Sequence, residues 1–186
     1  MATDNKSEFD IGDLVVYGTK GVCRVKNISE MKAPSGTVRD YYTLEPLFLS
    51  DSTIYSPVDN TKVIMRQVVT REYAMELIDD IPNIEILQIK DDKQREAALH
   101  DSVATCDLRE LVKIIKTLYD RRKQREAVGK KATSVDEKYL KIAENNLYSE
   151  LSIPLEIPMD EMEEYITSRI NNKKKKKKKV SISTGK

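Results

Sequence analysis

The side chains that most often perform catalysis or bind metals are scarce in this chain of 186 residues. It contains one histidine, His100, and two cysteines, Cys23 and Cys106, which lie far apart in the sequence. Two isolated cysteines provide neither the spacing of a zinc site nor a disulfide framework. We therefore interpret both thiols as reduced core groups. His100 is interpreted as a helix residue with no metal-binding or catalytic role.

Sequence motifs for enzymatic chemistry are also missing. The chain has no Gly-x-x-x-x-Gly-Lys-Ser/Thr loop for nucleotide phosphates and no Gly-x-Ser-x-Gly turn for a nucleophilic serine. With 31 acidic residues in the chain, neighbouring carboxylates such as those at 160–164 arise by chance. The sequence predicts a protein that is not an enzyme, with no cofactor and no small-molecule substrate.

Charge is distributed unevenly, although the formal net charge is only +1. Residues 171–186 contain eight lysines and no acid, so residues 1–170 carry a net charge of −7. Within that acidic part, residues 109–131 contain nine basic and three acidic side chains. A local excess of positive charge is what a phosphate-binding surface requires. An ordinary solvated helix face would explain the same residues without any ligand.

The pattern of apolar residues before position 70 is that of β-structure. Short apolar segments bounded by glycine, proline or aspartate predict five strands, at residues 9–17, 22–28, 40–49, 53–57 and 62–67. Five short strands in so little chain predict a small SH3-like or Tudor-like β-barrel. Its tyrosines are interpreted as packing residues rather than a ligand cage: Tyr17, Tyr41, Tyr42 and Tyr55.

From residue 71 the apolar spacing becomes helical. Leu108, Leu111, Val112 and Ile115 follow i, i+3, i+4, i+7 spacing behind a capping residue, Asp107. Further helices are predicted at residues 71–78, 92–104, 134–151 and 158–170. The helix at 134–151 begins with a capping box, Ser134-x-x-Glu137, and a linker at 153–158 follows it. These segments predict an all-α bundle of four or five helices.

The predicted organisation is therefore α+β, with a β-barrel domain at residues 1–70 and a helical domain at 71–170. The lysine-rich tail at 171–186 is predicted to be disordered, because adjacent like charges repel one another. No apolar run approaches the roughly 20 residues that a membrane-spanning helix needs. The polar segment at residues 1–9 has no signal-peptide pattern. We expect a cytoplasmic, nucleoid-associated monomer.

These segments resemble the CarD/CdnL family of bacterial transcription regulators. The opening Phe9-x-x-Gly12-Asp13-x-Val15-Val16-Tyr17-x-x-x-Gly21-Val22 is similar to the module that this family shares with transcription-repair coupling factors. Tyr42-x-Leu44 and Thr53 to Asn60 resemble its later strands, and Asp107 to Tyr119 and Ser134 to Leu151 resemble its helical domain. The resemblance covers roughly residues 8 to 165.

The resemblance implies two binding partners. The barrel would bind the β subunit of RNA polymerase by pairing an exposed strand edge, and the candidate contacts are Met31, Lys32, Thr53, Ile54, Tyr55 and Pro57. The helical domain would bind promoter DNA near the −10 region and modulate open-complex stability. The candidate DNA contacts are Lys93, Arg95, Arg121, Arg122, Lys123, Arg125, Lys130 and Lys131.

The chain departs from this family in one important respect, because it contains no tryptophan. Many members insert a tryptophan into the minor groove as a wedge, and Asp91 or Asp92 stands at that position here. A first alternative function is a KOW-like factor that binds RNA or the ribosome. A second is an enzyme with a cleft between the domains, which would need His100 or clustered acids beside a pocket.

Overall fold

The computed structural model describes residues 7–32, 36–48, 52–89 and 91–183, with the backbone alone for residues 174–183. The architecture is α+β, as the sequence predicts. The chain divides into two compact units. The sheet unit comprises residues 1–68 with 104–106, and the helical unit comprises residues 69–103 with 107–186.

The sheet unit consists of one five-stranded antiparallel sheet. Its strands are β1 (Leu14–Tyr17), β2 (Val22–Lys32), β3 (Val38–Pro46), β4 (Ile54–Pro57) and β5 (Met65–Gln67). The spatial order is β4-β3-β2-β1-β5, so β4 and β5 lie at opposite margins. The prediction of five strands is confirmed, but the prediction of a closed barrel is wrong. Closure would require β4 to pair with β5, and these strands are only four and three residues long.

One face of this sheet is packed. Its fully buried residues include Val15, Cys23, Val25 and Leu44. The ring of Phe9 meets Tyr42 edge to face at 6.1 Å, and the Phe9 backbone N–H donates to the Tyr42 hydroxyl at 3.2 Å. Burial raises the pKa of the Cys23 thiol to about 11, which keeps it protonated as a small core group.

The tyrosines of the sheet divide between the two faces. Tyr17 and Tyr42 are buried, as the packing interpretation predicts, and Tyr41 is half-buried. Tyr55 differs, because 56% of its surface is exposed. One tyrosine of the four therefore projects from the sheet into solvent.

The described residues of the helical unit form five α-helices. They are α1 (Arg71–Asp80), α2 (Arg95–Ala104), α3 (Leu108–Ala127), α4 (Ser134–Leu155) and α5 (Met162–Ser183). Asp107 caps α3 by accepting a hydrogen bond from the backbone N–H of Arg109 at 2.7 Å, as predicted. At α4 the capping residue is Thr133 rather than Ser134, since the Thr133 hydroxyl accepts from the N–H of Asp136.

The core of this unit confirms the predicted stripe on α3 and shows that α4 is longer than predicted. Leu108, Leu111 and Val112 are buried, together with Leu147 and Leu151 of α4. Although Pro154 was expected in a linker, α4 passes through it and ends at Leu155. Proline removes one backbone hydrogen bond in that last turn, while the helical course buries Leu155 in the core.

The start of the lysine run is attached to the helical unit through α5. The Asp79 carboxylate accepts two hydrogen bonds from the Arg169 guanidinium, each 2.8 Å long, and lies 3.1 Å from the Lys173 ammonium. The backbone of α5 continues as helix to Ser183, whereas the sequence predicts disorder from residue 171. Lysine is a good helix former, and extending an anchored helix costs far less than nucleating a new one.

The ion pairs at Asp79 make the stability of the helical unit depend on pH. The hydrogen bonds from Arg169 lower the pKa of this carboxyl below its ordinary value of 3.8. A lowered folded-state pKa contributes stability at pH values above the unfolded pKa, and the contribution is lost as the pH falls through the folded one. We expect Asp79→Asn to lower the melting temperature at neutral pH, with a difference from wild type that shrinks in acid. Glu76→Gln, at an exposed position of α1, is the control, and an Asp79→Asn deficit that does not change with pH would contradict this account.

Candidate protein and nucleic-acid interfaces

The first candidate interface is the free margin of β4. Tyr42 pairs with Ser56 and Leu44 with Ile54, and beyond the strand the N–H of Val58 donates to the carbonyl of Asp40 at 2.9 Å. Hydrogen-bonded and non-bonded pairs alternate along an antiparallel ladder. Residues 54, 56 and 58 therefore bond to β3, and the backbone groups of Tyr55 and Pro57 point to the open side. Among the described strands β4 therefore lies at an edge of the sheet.

The two residues with outward-pointing backbone groups, Tyr55 and Pro57, differ in the hydrogen-bonding groups of their backbones. Tyr55 offers an N–H and a carbonyl, whereas Pro57 offers a carbonyl alone because proline has no N–H. Proline at this position removes no hydrogen bond between β3 and β4, which explains why it is tolerated in the strand. The Pro57 carbonyl already accepts from the N–H of Asn60 at 3.1 Å, so the N–H and carbonyl of Tyr55 are the groups that suit one short added strand.

The two candidate contacts at the end of β2 lie on opposite faces of the sheet. Met31 pairs with Arg39, and Thr43, two places further along the same side of β3, pairs with Tyr55. Since directly paired residues point to the same face and alternate residues along a strand share it, Met31 shares the outer face with Tyr55. Lys32, which pairs with Val38, points to the other face.

The second candidate interface is the C-terminal end of α3 and the turn after it. Four basic side chains are exposed there, and we call them the basic end patch: Arg122, Lys123, Lys130 and Lys131. Arg125 is half-buried and fixes the turn, because its carbonyl accepts from the N–H of Lys130 at 2.9 Å and its guanidinium donates to the carbonyl of Lys131 at 2.8 Å. The side chain of Val128, in the same turn, is 67% exposed.

Two of the predicted DNA contacts are bound to carboxylates of the helical unit. Arg95 lies 3.0 Å from Asp136, and Arg121 donates to Asp136 at 3.1 Å and to Asp92 at 2.9 Å. The Arg95 side chain is 11% exposed and that of Asp136 is 6% exposed. This cluster joins the start of α2 and the turn before it to α3 and α4. Arg95 and Arg121 consequently have less freedom to reach a phosphate than the basic end patch, or than Lys93, which is exposed.

Asp91 and Asp92, which the sequence resemblance aligns with a wedge tryptophan, have a structural role here. Asp91 accepts a hydrogen bond from the N–H of Lys93 at 3.0 Å, which caps a short turn. Asp92 accepts from Arg121 and lies 2.9 Å from Arg95, and these contacts lower the pKa of its carboxyl. Both acids therefore stabilise the local fold.

The basic residues further along α3 are also paired within the helical unit. Arg109 lies 2.8 Å from Asp80, and Lys113 lies 2.6 Å from Glu110. The Lys116 ammonium donates to the carbonyls of Ile81 and Ile84. The basic residues of α3 thus include several that are bound within the helical unit, Arg121 among them, and exposed ones at the end of the helix, where Arg122 also donates to Glu126 at 3.2 Å. The sequence could not make this distinction for Arg109 and Arg121, because the acids that pair with them come from distant segments.

Two features considered for an enzyme, a catalytic His100 and a metal site, can be checked in the part of the chain that the structure describes. His100 is exposed by 65%, with the Asp101 carboxylate 3.4 Å away. Within residues 7–32, 36–48, 52–89 and 91–183, no three His, Cys, Asp or Glu side chains come together in a way that could hold a metal ion. The helices of these same ranges include none that could span a membrane.

The comparison with protein families bears on the sheet unit. Residues 9–69 match a family model described as the CarD-like/TRCF RID domain. The matched range contains all five strands and ends at the boundary between the two units. The resemblance seen in the sequence is confirmed for these residues. No match is found among curated proteins.

Proposed function

We propose, from the match of residues 9–69 to the CarD-like/TRCF RID domain, that the protein is a non-catalytic transcription regulator that binds RNA polymerase and promoter DNA. The observation that most supports this proposal is an unpaired strand margin, β4, in a domain of that family. A protein that acts through binding alone needs two surfaces, one for each partner.

The polymerase half of the proposal concerns β4. The β subunit of RNA polymerase would add a strand beside Ile54–Pro57, with Tyr55 supplying the N–H and carbonyl that face the partner. Met31 lies on the same face as Tyr55 and would contact side chains of the added strand. Backbone pairing supplies affinity with little dependence on side-chain identity.

The DNA half of the proposal concerns the basic end patch, with Lys93 and Arg125 as additional contacts. Exposed lysines and arginines at a helix end bind phosphates and release condensed counterions. An exposed apolar side chain beside them, Val128, would contact the minor groove near the −10 region in place of the missing tryptophan. We expect this substitute to stabilise the open complex less than a large aromatic wedge would.

The two contacts together would be stronger than either alone. Once polymerase holds the sheet unit, the basic end patch meets DNA at a high effective concentration, which raises the avidity by roughly 100-fold or more. Regulation then follows from tighter binding to one promoter state than to the other.

We expect the triple variant Lys123→Ala, Lys130→Ala, Lys131→Ala to weaken DNA binding. Each lost phosphate contact reduces the slope of log affinity against log salt by about 0.9, so the slope should flatten by roughly 3. The measurement is a salt titration of the full-length chain on a duplex that contains a −10 element. The matched control removes three exposed lysines from other places, in the variant Lys20→Ala, Lys62→Ala, Lys141→Ala.

The two variants carry the same net charge, so the comparison separates the effect of where the lysines lie from the effect of total charge. If both lose the same affinity, DNA is attracted by overall charge and the basic end patch is not the binding surface. A pull-down with the full-length chain tests the partner class at the same time. Recovery of ribosomal protein or ribosomal RNA without polymerase would favour the KOW-like alternative.

A further inference from the structure

A cavity of about 270 Å³ lies between three helices of the helical unit. One wall is formed by four residues of α3 at i, i+3, i+4, i+7 spacing, which are Val112, Ile115, Lys116 and Tyr119. The facing wall is formed by four residues of α5 with the same spacing, which are Glu163, Ile166, Thr167 and Ile170. Leu147 and Tyr148 of α4 complete the lining together with Ile81.

The two ends of this cavity differ in chemistry. The aliphatic side chains of Val112, Ile115, Ile166 and Ile170 make most of its wall apolar. At the other end the Tyr119 hydroxyl donates to Glu144 at 3.0 Å and lies 3.4 Å from a carboxylate oxygen of Glu163. A phenol has one hydrogen to donate, so it cannot satisfy both carboxylates.

The two carboxylates at this end differ in exposure, because Glu163 lines the cavity and is exposed to solvent, whereas Glu144 is partly buried behind it. Burial raises the pKa of Glu144, and burial together with the Glu144 charge raises the pKa of Tyr119 to about 12, so the phenol stays neutral. Lys116 also lines the cavity, but its ammonium is bound to the carbonyls of Ile81 and Ile84. Arg122 offsets part of the charge on Glu144, while its guanidinium donates to Glu126 at 3.2 Å.

We propose that this cavity binds a small organic cation, a primary ammonium on an alkyl or aryl body, with the ammonium at Glu163 and the body between α3 and α5. An ammonium has three donors and forms charge-assisted hydrogen bonds with carboxylates. The apolar walls would remove the body from water. Drug-sized ligands occupy sites of roughly 300–1,000 Å³, so this smaller cavity suits a ligand with a short chain or a single ring. The proposal is independent of polymerase and DNA binding.

The test uses n-hexylammonium as the probe on the full-length chain, with n-hexanol as the neutral analogue of the same shape. We expect saturable amide NMR shifts at Tyr119, Ile166 and Ile170, and an affinity about tenfold higher for the ammonium, because its hydrogen bonds to the Glu163 carboxylate are charge-assisted. Glu163→Gln should abolish this preference. Glu164→Gln removes the same charge from an exposed neighbour that does not line the cavity, and it should keep the preference.

Three outcomes would overturn the proposal. Equal affinity for hexanol and hexylammonium would mean that the cavity is an apolar cleft without selectivity for cations. Shifts that do not saturate, or that lie away from α3 and α5, would mean that there is no site. Equal behaviour of Glu163→Gln and Glu164→Gln would mean that the probe responds to the overall charge of α5.

Discussion

Tyr55→Pro is expected to abolish co-purification of this protein with RNA polymerase while leaving the sheet folded. The substitution removes the N–H that points away from β3 and places a proline ring where an added strand would run. A partner carbonyl left without its hydrogen bond costs about 1–3 kcal/mol. With the steric conflict added, we expect affinity for the β subunit to fall by about 100-fold. The ladder between β3 and β4 does not use this N–H, so circular dichroism should match wild type.

The matched control for this prediction is Tyr55→Val. Valine retains the backbone N–H and favours strand conformation, but it removes the aromatic ring that projects into solvent. If Tyr55→Val binds polymerase nearly as well as wild type, the backbone margin supplies the affinity. If both variants lose binding equally, the tyrosine side chain supplies it and strand addition at β4 is not the binding mode. Retained DNA binding in both variants would show that the helical unit is intact.

The local structure of this protein could be predicted from its sequence because it depends on neighbouring residues. Turn residues separate five apolar segments, and each became a strand. Asp107 caps α3 through a contact two residues away, which the sequence pattern alone indicates. The edge position of β4 followed from a similar local feature, since Pro57 excludes a central strand.

What depends on distant residues could not be predicted. The sheet would close into a barrel only if its two marginal strands, β4 and β5, paired with each other. No local sequence pattern determines that pairing. Whether Arg109 and Arg121 are paired depends on acids far along the chain. Arg121 meets Asp92 and Asp136, 29 and 15 residues away, whereas Lys123 of the same helix stays exposed. The sequence identified the positive helix but not which of its charges are available to DNA.

A second large effect on stability is expected at Asp136 of α4, which pairs with Arg121 of α3. Its side chain is 6% exposed and lies within 3.1 Å of both Arg95 and Arg121. Removing one partner of a buried ion pair costs about 3–5 kcal/mol, because the other charge is left without compensation. We expect Asp136→Ala to destabilise the helical unit at the lower end of this range, since Asp92 still contacts both arginines. Urea unfolding followed by the helical circular dichroism signal of the full-length chain measures the loss.

Two further variants separate a structural role of Arg121 from a role in DNA binding. Glu137→Ala removes a negative charge from an exposed position in the same first turn of α4, and it should change stability by less than about 0.5 kcal/mol. Arg121→Ala should destabilise the unit, and its effect should not add to that of Asp136→Ala, because the two side chains share one interaction. If Arg121→Ala instead leaves stability unchanged and weakens DNA binding as strongly as loss of Lys123, then Asp136 does not hold this arginine, and Arg121 belongs to the DNA-binding surface.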